Sequence, residues 1–384
     1  MYDVIIAGAG PTGSAAARFC AEAGLRTLVL EEHATIGYPV QCAGLLSNSA
    51  FAECAVSAAP VLNRVYGARI CGSAGHELSF AAEETKAYVV DRGRLDHEMA
   101  ARAADAGAEF SLKTSVTRIN PEKKTIQTTG ISGKQEFPYT ILIAADGSRS
   151  VVARGLGVPP SRHIYAGIQA EISWNGSSDQ VELYPNASPD FFAWVIPLSA
   201  SRARIGLCGM RDVSERFAAF AKQFSPSNVH EVTGTIPIGI RRRTYGSGCM
   251  IAGDAAGFPK PTSGGGVYTG VRSARHAASV AVTACESGDS SDTMLSAYEK
   301  YWRADFGREL ELGFKALTLR RTLTAEEIDT AIDALNTPET LELITKAGDM
   351  DRPSSLLLKL MKKPELISTF GALGIKSMIR SMII

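Results

Sequence analysis

Short apolar runs at residues 4–7, 26–30, 139–145 and 249–253 punctuate the chain. Each is too brief for a buried helix and ends at Gly, Asp or Glu, which predicts strands covered on both faces, as in a parallel sheet. An alanine-rich helical stretch over 14–23 follows the first run, another follows residues 89–96, a strand is predicted over 111–119, and a long helix runs from 267 to about 287. Between 160 and 245 the pattern changes. Strand-like runs at 165–173, 180–184, 191–197 and 202–207 alternate with turn residues, which predicts an antiparallel sheet; residues 61–88 are expected to add strands to the same layer. From 289 onward, segments at 293–303, 306–318, 325–336 and 338–347 predict helices. The reading is an α/β protein in three parts. These are a discontinuous first domain (1–60, 88–160 and 245–288), a sheet domain (61–87 and 161–244) and a helical C-terminal region (289–384).

The first run leads straight into Gly8-Ala9-Gly10-Pro11-Thr12-Gly13, then the helix, the second strand and Glu31. Strand, GxGxxG, helix, strand and acid within about thirty residues describe a dinucleotide-binding unit. Gly8 permits the tight turn, Gly10 lets the backbone approach a pyrophosphate, and Gly13 allows close helix–strand packing. Ala15, in the first turns of the helix, is also placed at the cofactor. The helix N-terminus favours phosphate, and Glu31 would accept hydrogen bonds from ribose hydroxyls. Glu32 is read as a solvated carboxylate.

Forty Lys and Arg balance forty Asp and Glu, and zero net charge argues against a dedicated nucleic-acid binder. Seven cysteines without a CxxC pair, and six histidines without metal spacing, give no support for a metal site or a disulfide framework. The N-terminus lacks a basic signal-peptide region and no run of 18 apolar residues occurs, so a cytoplasmic protein is expected. Two cationic places remain. Arg241-Arg242-Arg243 is either a phosphate-headgroup cluster or a solvated surface run. The tail, at 354–363 and again at 373–384 with Lys376 and Arg380, mixes apolar and basic residues; it either docks on the domain or makes peripheral contact with the inner face of a membrane.

Three features together, the GxGxxG unit, the strand closing in Gly253-Asp254-Ala255-Ala256-Gly257 and the glycines 264–266 before the long helix, resemble the FAD domain of the glutathione-reductase-like flavoproteins. The similar branch is the one containing para-hydroxybenzoate hydroxylase. The resemblance implies a Rossmann-like FAD-binding domain in which Asp254 holds the ribityl chain. Gly265, Gly266 and Val267 would then present a helix N-terminus to the flavin edge that becomes anionic on reduction. It further implies that Arg92, with Arg94 as competitor, contacts the dinucleotide, and that Val116 gives a backbone contact to the adenine.

Gly37-Tyr38-Pro39-Val40-Gln41-Cys42-Ala43-Gly44 matches the PxxCxG pattern of the geranylgeranyl reductase family. The segment Phe191-Phe192-Ala193-Trp194-Val195-Ile196-Pro197, followed by Gly206-Leu207-Cys208-Gly209, resembles that family's YxWxFP…GxG element; Phe192 replaces the Tyr and Ile196 the Phe. The resemblance covers roughly residues 1–290. It implies an enzyme that uses reduced FAD to hydrogenate isolated C=C bonds, with a geranylgeranyl lipid of the archaeal glycerophospholipid type as partner. Cys42 and Ala43 would lie beside the flavin, with Cys42 as proton donor or polarisable wall. Trp194 would serve the catalytic site, and Phe192, Trp194 and Gly206 the isoprenoid channel. No second GxGxxG follows a strand, so electrons would come from NAD(P)H binding transiently or from ferredoxin. The alternatives are an aromatic hydroxylase of the same branch, a halogenase, because Trp194-Val195-Ile196-Pro197 also fits the end of a WxWxIP motif, and a non-catalytic lipid-binding protein that retains a flavin fold.

Overall fold

The computed structural model describes residues 2–73, 75–224 and 231–381. A six-stranded sheet runs in the spatial order 245–246, 249–251, 141–144, 4–7, 27–30, 109–111. Val4–Ala7 pairs in parallel with Ile141–Ala144 on one side and Thr27–Leu30 on the other, and only the edge strand Tyr245–Gly246 is antiparallel. Every residue of those three central strands is buried, which explains their unbroken apolar runs; burying one Val or Ile there contributes about 1.5–3 kcal/mol. Helices Pro11–Glu22, Arg92–Asp105 and Val267–Ser287 pack together against this sheet. A meander, Thr114–Asn120, Thr125–Gly130 and Gly133–Pro138, sends Ile119 and Ile126 into the same core. The strand expected over 111–119 is therefore two, Glu109–Ser111 and Thr114–Asn120, broken where Lys113 takes a positive φ.

The second sheet has seven strands, in the order 231–238, 163–173, 202–209, 193–199, 180–184, 67–71, 77–81. All its pairings are antiparallel except Gln180–Tyr184 with Gly67–Cys71. Of the strands expected over 61–88, Gly67–Cys71 and Glu77–Ala81 join it. Val61–Val65 and Leu45–Ser47 instead flank Ala87–Val90 in a separate three-stranded sheet, because the chain between them turns back through the Gly67–Ala81 pair.

Six helices follow: Asp292–Trp302, Arg308–Arg320, Ala325–Leu335, Pro338–Ala347, Pro353–Leu360 and Pro364–Ser381. Their starts carry the expected signals, Ser291 and Thr337 as N-caps and a Thr324–Glu327 capping box. Trp302 anchors them to the first domain. It is fully buried, packs on Phe258 at 4.7 Å and donates from Nε1 to Thr244 Oγ1 at 3.0 Å. No helix among the described residues is long and apolar enough to cross a membrane.

The tightest point of the first domain is the glycine turn. A Cβ on Gly13 would lie 1.9 Å from the Gly8 carbonyl oxygen, so helix and strand can meet there only without a side chain. Gly13→Ala should therefore cost about 1–3 kcal/mol of unfolding free energy in urea titrations, from overpacking. It should also lower dinucleotide affinity, and unchanged stability would contradict the close approach.

Candidate functional site

One cavity of about 1520 Å³ runs between the two sheets and under the C-terminal helices. Ligand pockets usually span roughly 300–1,000 Å³, so this one has room for a cofactor and a second ligand. Its first end is built by the glycine turn. Gly8, at φ +93°, lies so near Ala145 that a Cβ would meet its carbonyl oxygen at 2.5 Å, whereas a Cβ on Gly10 would meet no atom within 4 Å and faces open space. The 12-residue helix behind it has no side-chain cap and no acid in its first turn, leaving backbone N–H groups free for an anion. Glu31 is buried and fixed: Oε2 accepts from Ala9 N–H at 2.8 Å, and Oε1 from His33 N–H at 2.9 Å, with His33 Nδ1 2.7 Å away. Val116 lines the same end. Gly13 and Ala15 do not line the cavity; Gly13 packs the helix to the strand, and the Ala15 side chain is buried in the core behind the turn, because it lies on the sheet-facing side of the helix.

Further along lies Asp254, on the short turn Gly253–Ala256 after the strand Cys249–Ile251. Its carboxylate presses on the next turn, where a Cβ at Gly266 would come within 2.6 Å of Oδ1. Gly265, Gly266 and Val267 line the cavity and open a 21-residue helix that again has neither a side-chain cap nor an acid in its first turn. Burial pushes the Asp254 carboxyl up to about 6, and the Arg92 charge only partly opposes it. Two open helix N-termini, a fixed carboxylate for a ribose and a desolvated carboxylate without a donor among the described residues fit a dinucleotide such as FAD.

The motif loop, residues 37–44, lines the same cavity. Gly37 and Gly44 take positive φ values of 85° and 78°. A Cβ on Gly37 would lie 2.8 Å from the Gly93 carbonyl oxygen, one on Gly44 2.5 Å from that of Val90, and one on Gly93 2.7 Å from the Tyr38 ring. The loop is thus pressed on the first turn of helix Arg92–Asp105, and its position requires glycine on both sides. Cys42, half-buried, faces the cavity, with Sγ 3.4 Å from the Gly44 N–H. From the second sheet, Arg204 donates to the Ala43 carbonyl at 2.7 Å and pairs with Glu171 at 2.8 Å.

Arg92 lines the cavity. It is buried and bonded to Asp96 through two donors at 3.0 and 2.9 Å. Burial works against its charge, yet Asp96 and the neighbouring Cys42 sulfur outweigh that and hold the proton more tightly than usual. Arg94 is a surface residue pairing with Asp91.

The far end is apolar. Phe191 and Phe192 stack at 4.5 Å, and Phe192 meets Trp194 edge-on at 6.0 Å; all three line the cavity with Ile168, Leu183 and Ile236. Gly206 faces Trp194 across the strand pair, and a Cβ there would come within 2.2 Å of the indole. It makes room for the ring instead of lining the cavity. Trp194 Nε1–H is buried without a partner.

The Arg241–Arg243 run does not gather at this cavity. Arg241 is buried and donates to the carbonyls of Ala255 and Pro159, because the chain turns inward there, and Arg243 pairs with Asp292. Cys20, Cys54, Cys208 and Cys249 are buried, with thiols pushed up to about 12 by burial. No metal-binding cluster occurs among the described residues. Lys376 and Arg380 have side chains outside the described residues.

Sequence reading missed the residues that close the cavity from the C-terminal side. Lys260, buried in the wall, donates to Asp351 Oδ1 at 2.5 Å and to the Met350 carbonyl at 3.0 Å, while Ser47 donates to the other Asp351 oxygen. Arg320 donates to the carbonyls of Ser188 and Phe191 at 2.9 and 3.1 Å, tying the aromatic segment to the helices.

Comparison with known proteins agrees with this geometry. Residues 1–311 match the FAD binding domain family model. The digeranylgeranylglycerophospholipid reductase 2 of Methanothermobacter thermautotrophicus is 31% identical, over 87% of this chain and 91% of that one. A geranylgeranyl bacteriochlorophyll reductase-like protein from Thermoplasma acidophilum superposes with a TM-score of 0.86 at 26% identity, covering 97% of this chain and 99% of that one. A p-nitrophenol 4-monooxygenase from Pseudomonas putida, at 16% identity, a TM-score of 0.72 and coverage of 90% and 96%, shares the fold.

Two outcomes follow from the buried charges. The folded cofactor-free protein holds a proton on Asp254 up to about 6, whereas the unfolded chain loses it near 3.8. The carboxylate therefore costs stability as pH rises between those values. Urea unfolding should show the stability advantage of Asp254→Asn over wild type growing by about 3 kcal/mol from acid to neutral pH, while FAD affinity falls; a flat difference would refute the desolvation. For the Lys260–Asp351 pair, Lys260→Met alone should cost about 3–5 kcal/mol and the Lys260→Met/Asp351→Leu double much less. Additive losses in a double-mutant cycle would contradict the pairing.

Proposed function

We propose, since the chain belongs to the geranylgeranyl reductase family of FAD-dependent oxidoreductases, that it saturates C=C bonds in the geranylgeranyl chains of membrane glycerophospholipids of the archaeal type. The observation that carries this reading is that Cys42 lines one cavity together with Asp254, Gly266, Phe192 and Trp194.

An isolated trisubstituted alkene has no group to stabilise a carbanion, so hydride arrival must be coupled to proton delivery in a dry, shaped site. Reduced FAD, when bound, supplies the hydride from its N5. The chain supplies the rest. Asp254 and the turn 265–267 orient the flavin, and the open helix N-terminus at Gly266 favours the anionic charge left on it. Phe191, Phe192 and Trp194 hold the isoprenoid chain against it and exclude water. Cys42 Sγ carries a proton at the cavity wall and gives it to one alkene carbon as the other receives the hydride; solvent then reprotonates the sulfur. Arg92, locked by Asp96, keeps a fixed positive charge beside that sulfur. Electrons enter from NAD(P)H or a ferredoxin.

The aromatic hydroxylase reading is supported by the shared fold, but it gives no work to Cys42. Anaerobic mixing separates the two. The reduced enzyme should be reoxidised by a digeranylgeranyl glycerophospholipid without oxygen, with products gaining two hydrogens per bond in mass spectra. Cys42→Ala should keep its FAD and slow this step by about 10²–10⁴-fold. Reoxidation only in the presence of oxygen and an aromatic substrate would overturn the proposal.

A further inference from the structure

Large apolar side chains exposed to solvent are concentrated at one place. Of the twelve among the described residues, five lie within residues 350–367: Met350, Leu357 (47% exposed), Leu358 (53%), Met361 (43%) and Ile367 (46%). The other seven are scattered singly, as is normal for a protein surface. Leu357, Leu358 and Met361 stand at i, i+1 and i+4 and so share a face of the helix Pro353–Leu360 and its following turn.

The charge of this stretch is as uneven as its hydropathy. Residues 353–367 contain Lys359, Lys362 and Lys363 against the single acid Glu365, in a chain whose forty Lys and Arg balance forty Asp and Glu overall. Lys359 and Lys362 are exposed, and no ion pair with either occurs among the described residues. The location matters equally. Leu356, immediately before the exposed pair, lines the main cavity, as do Met350 and Gly348. The segment joining cavity to patch is anchored by Asp351 on Lys260 and Ser47, by Arg352 on Asp305 at 3.0 Å and by Ser354 on Glu309.

We propose that residues 353–367 form a docking surface for an anionic lipid bilayer, and that a lipid leaves the bilayer beside Leu357 and Leu358 to enter the cavity past Leu356 and Met350. An apolar face rimmed by unpaired lysines matches acyl chains below a layer of phosphate headgroups. Its continuity with the cavity distinguishes it from an ordinary sticky patch. The entry route rests on the reductase reading given above; the docking itself does not.

The test is co-sedimentation of the full-length holoenzyme with vesicles of saturated phosphatidylglycerol and phosphatidylcholine, against vesicles of phosphatidylcholine alone. Saturated chains offer nothing to reduce, so docking can fail or succeed independently of the catalytic reading. Binding should favour the anionic vesicles, weaken with added salt and drop by about tenfold or more in Leu357→Glu/Leu358→Glu. That variant should keep the flavin spectrum and melting temperature of the wild type. Lys359→Glu/Lys362→Glu, which leaves the apolar face intact, should lose the anionic preference. Equal binding to both vesicle types, or undiminished binding by both variants, would overturn the proposal. So would a wild-type dimer in solution that Leu357→Glu/Leu358→Glu converts to monomer, since the face would then be covered by a second copy.

Discussion

The close approach of residues 37–44 to the first turn of helix Arg92–Asp105 governs everything else in the site. Gly37 and Gly44 need positive φ, and Gly93 must lack a side chain for Tyr38 to fit over it. Three glycines thus let one loop lie close on the start of a helix, and that contact holds Cys42 in the cavity wall. Arg92 and Asp96 extend the same contact electrostatically, as a buried pair with two hydrogen bonds, and Cys42 is among the neighbours of Arg92. Arg204 reaches across from the second sheet to the Ala43 carbonyl, so both domains hold the loop.

The C-terminal region completes the cavity rather than decorating it. Arg320 fastens the helices to the backbone of the aromatic segment, and Asp351 fastens residues 349–352 to Lys260 and Ser47. Lys260 in turn stands beside the Gly264–Gly266 turn, where a Cβ on Gly265 would come 3.7 Å from its ammonium nitrogen. The Gly264–Gly266 turn, Ser47 and the C-terminal segment therefore meet at one buried ion pair.

Local features were legible in the sequence because their causes are local. The turn at Gly8–Gly13, Glu31, Asp254 and the open start of the long helix each follow from a strand, a turn and a helix within about thirty residues. Cys42 and the Phe191–Trp194 segment were legible through resemblance. Arg204, Lys260 and Asp351 were not, since a buried charge gives no sign of its partner; Ser47 and Asp351 are 304 positions apart. Arg92 shows the same limit from the other side. It lines the cavity, and its two bonds to Asp96 could not be foreseen from the motif. Gly206 looked like a channel residue, but strand register makes it the space into which Trp194 fits.

In the proposed reaction, one cavity brings flavin and isoprenoid chain together at Cys42. Thiol alkylation of the holoenzyme, mapped by peptide mass spectrometry, tests it directly, because Cys20, Cys54, Cys208 and Cys249 are buried and Cys42 faces the cavity. Cys42 should label readily in the holoenzyme without lipid and become shielded when a digeranylgeranyl glycerophospholipid is bound, with the labelling of Cys71 and Cys285 unaltered. Full labelling of Cys42 under saturating lipid, in an enzyme whose reduced flavin that lipid reoxidises, would show that the chain binds elsewhere and contradict the account.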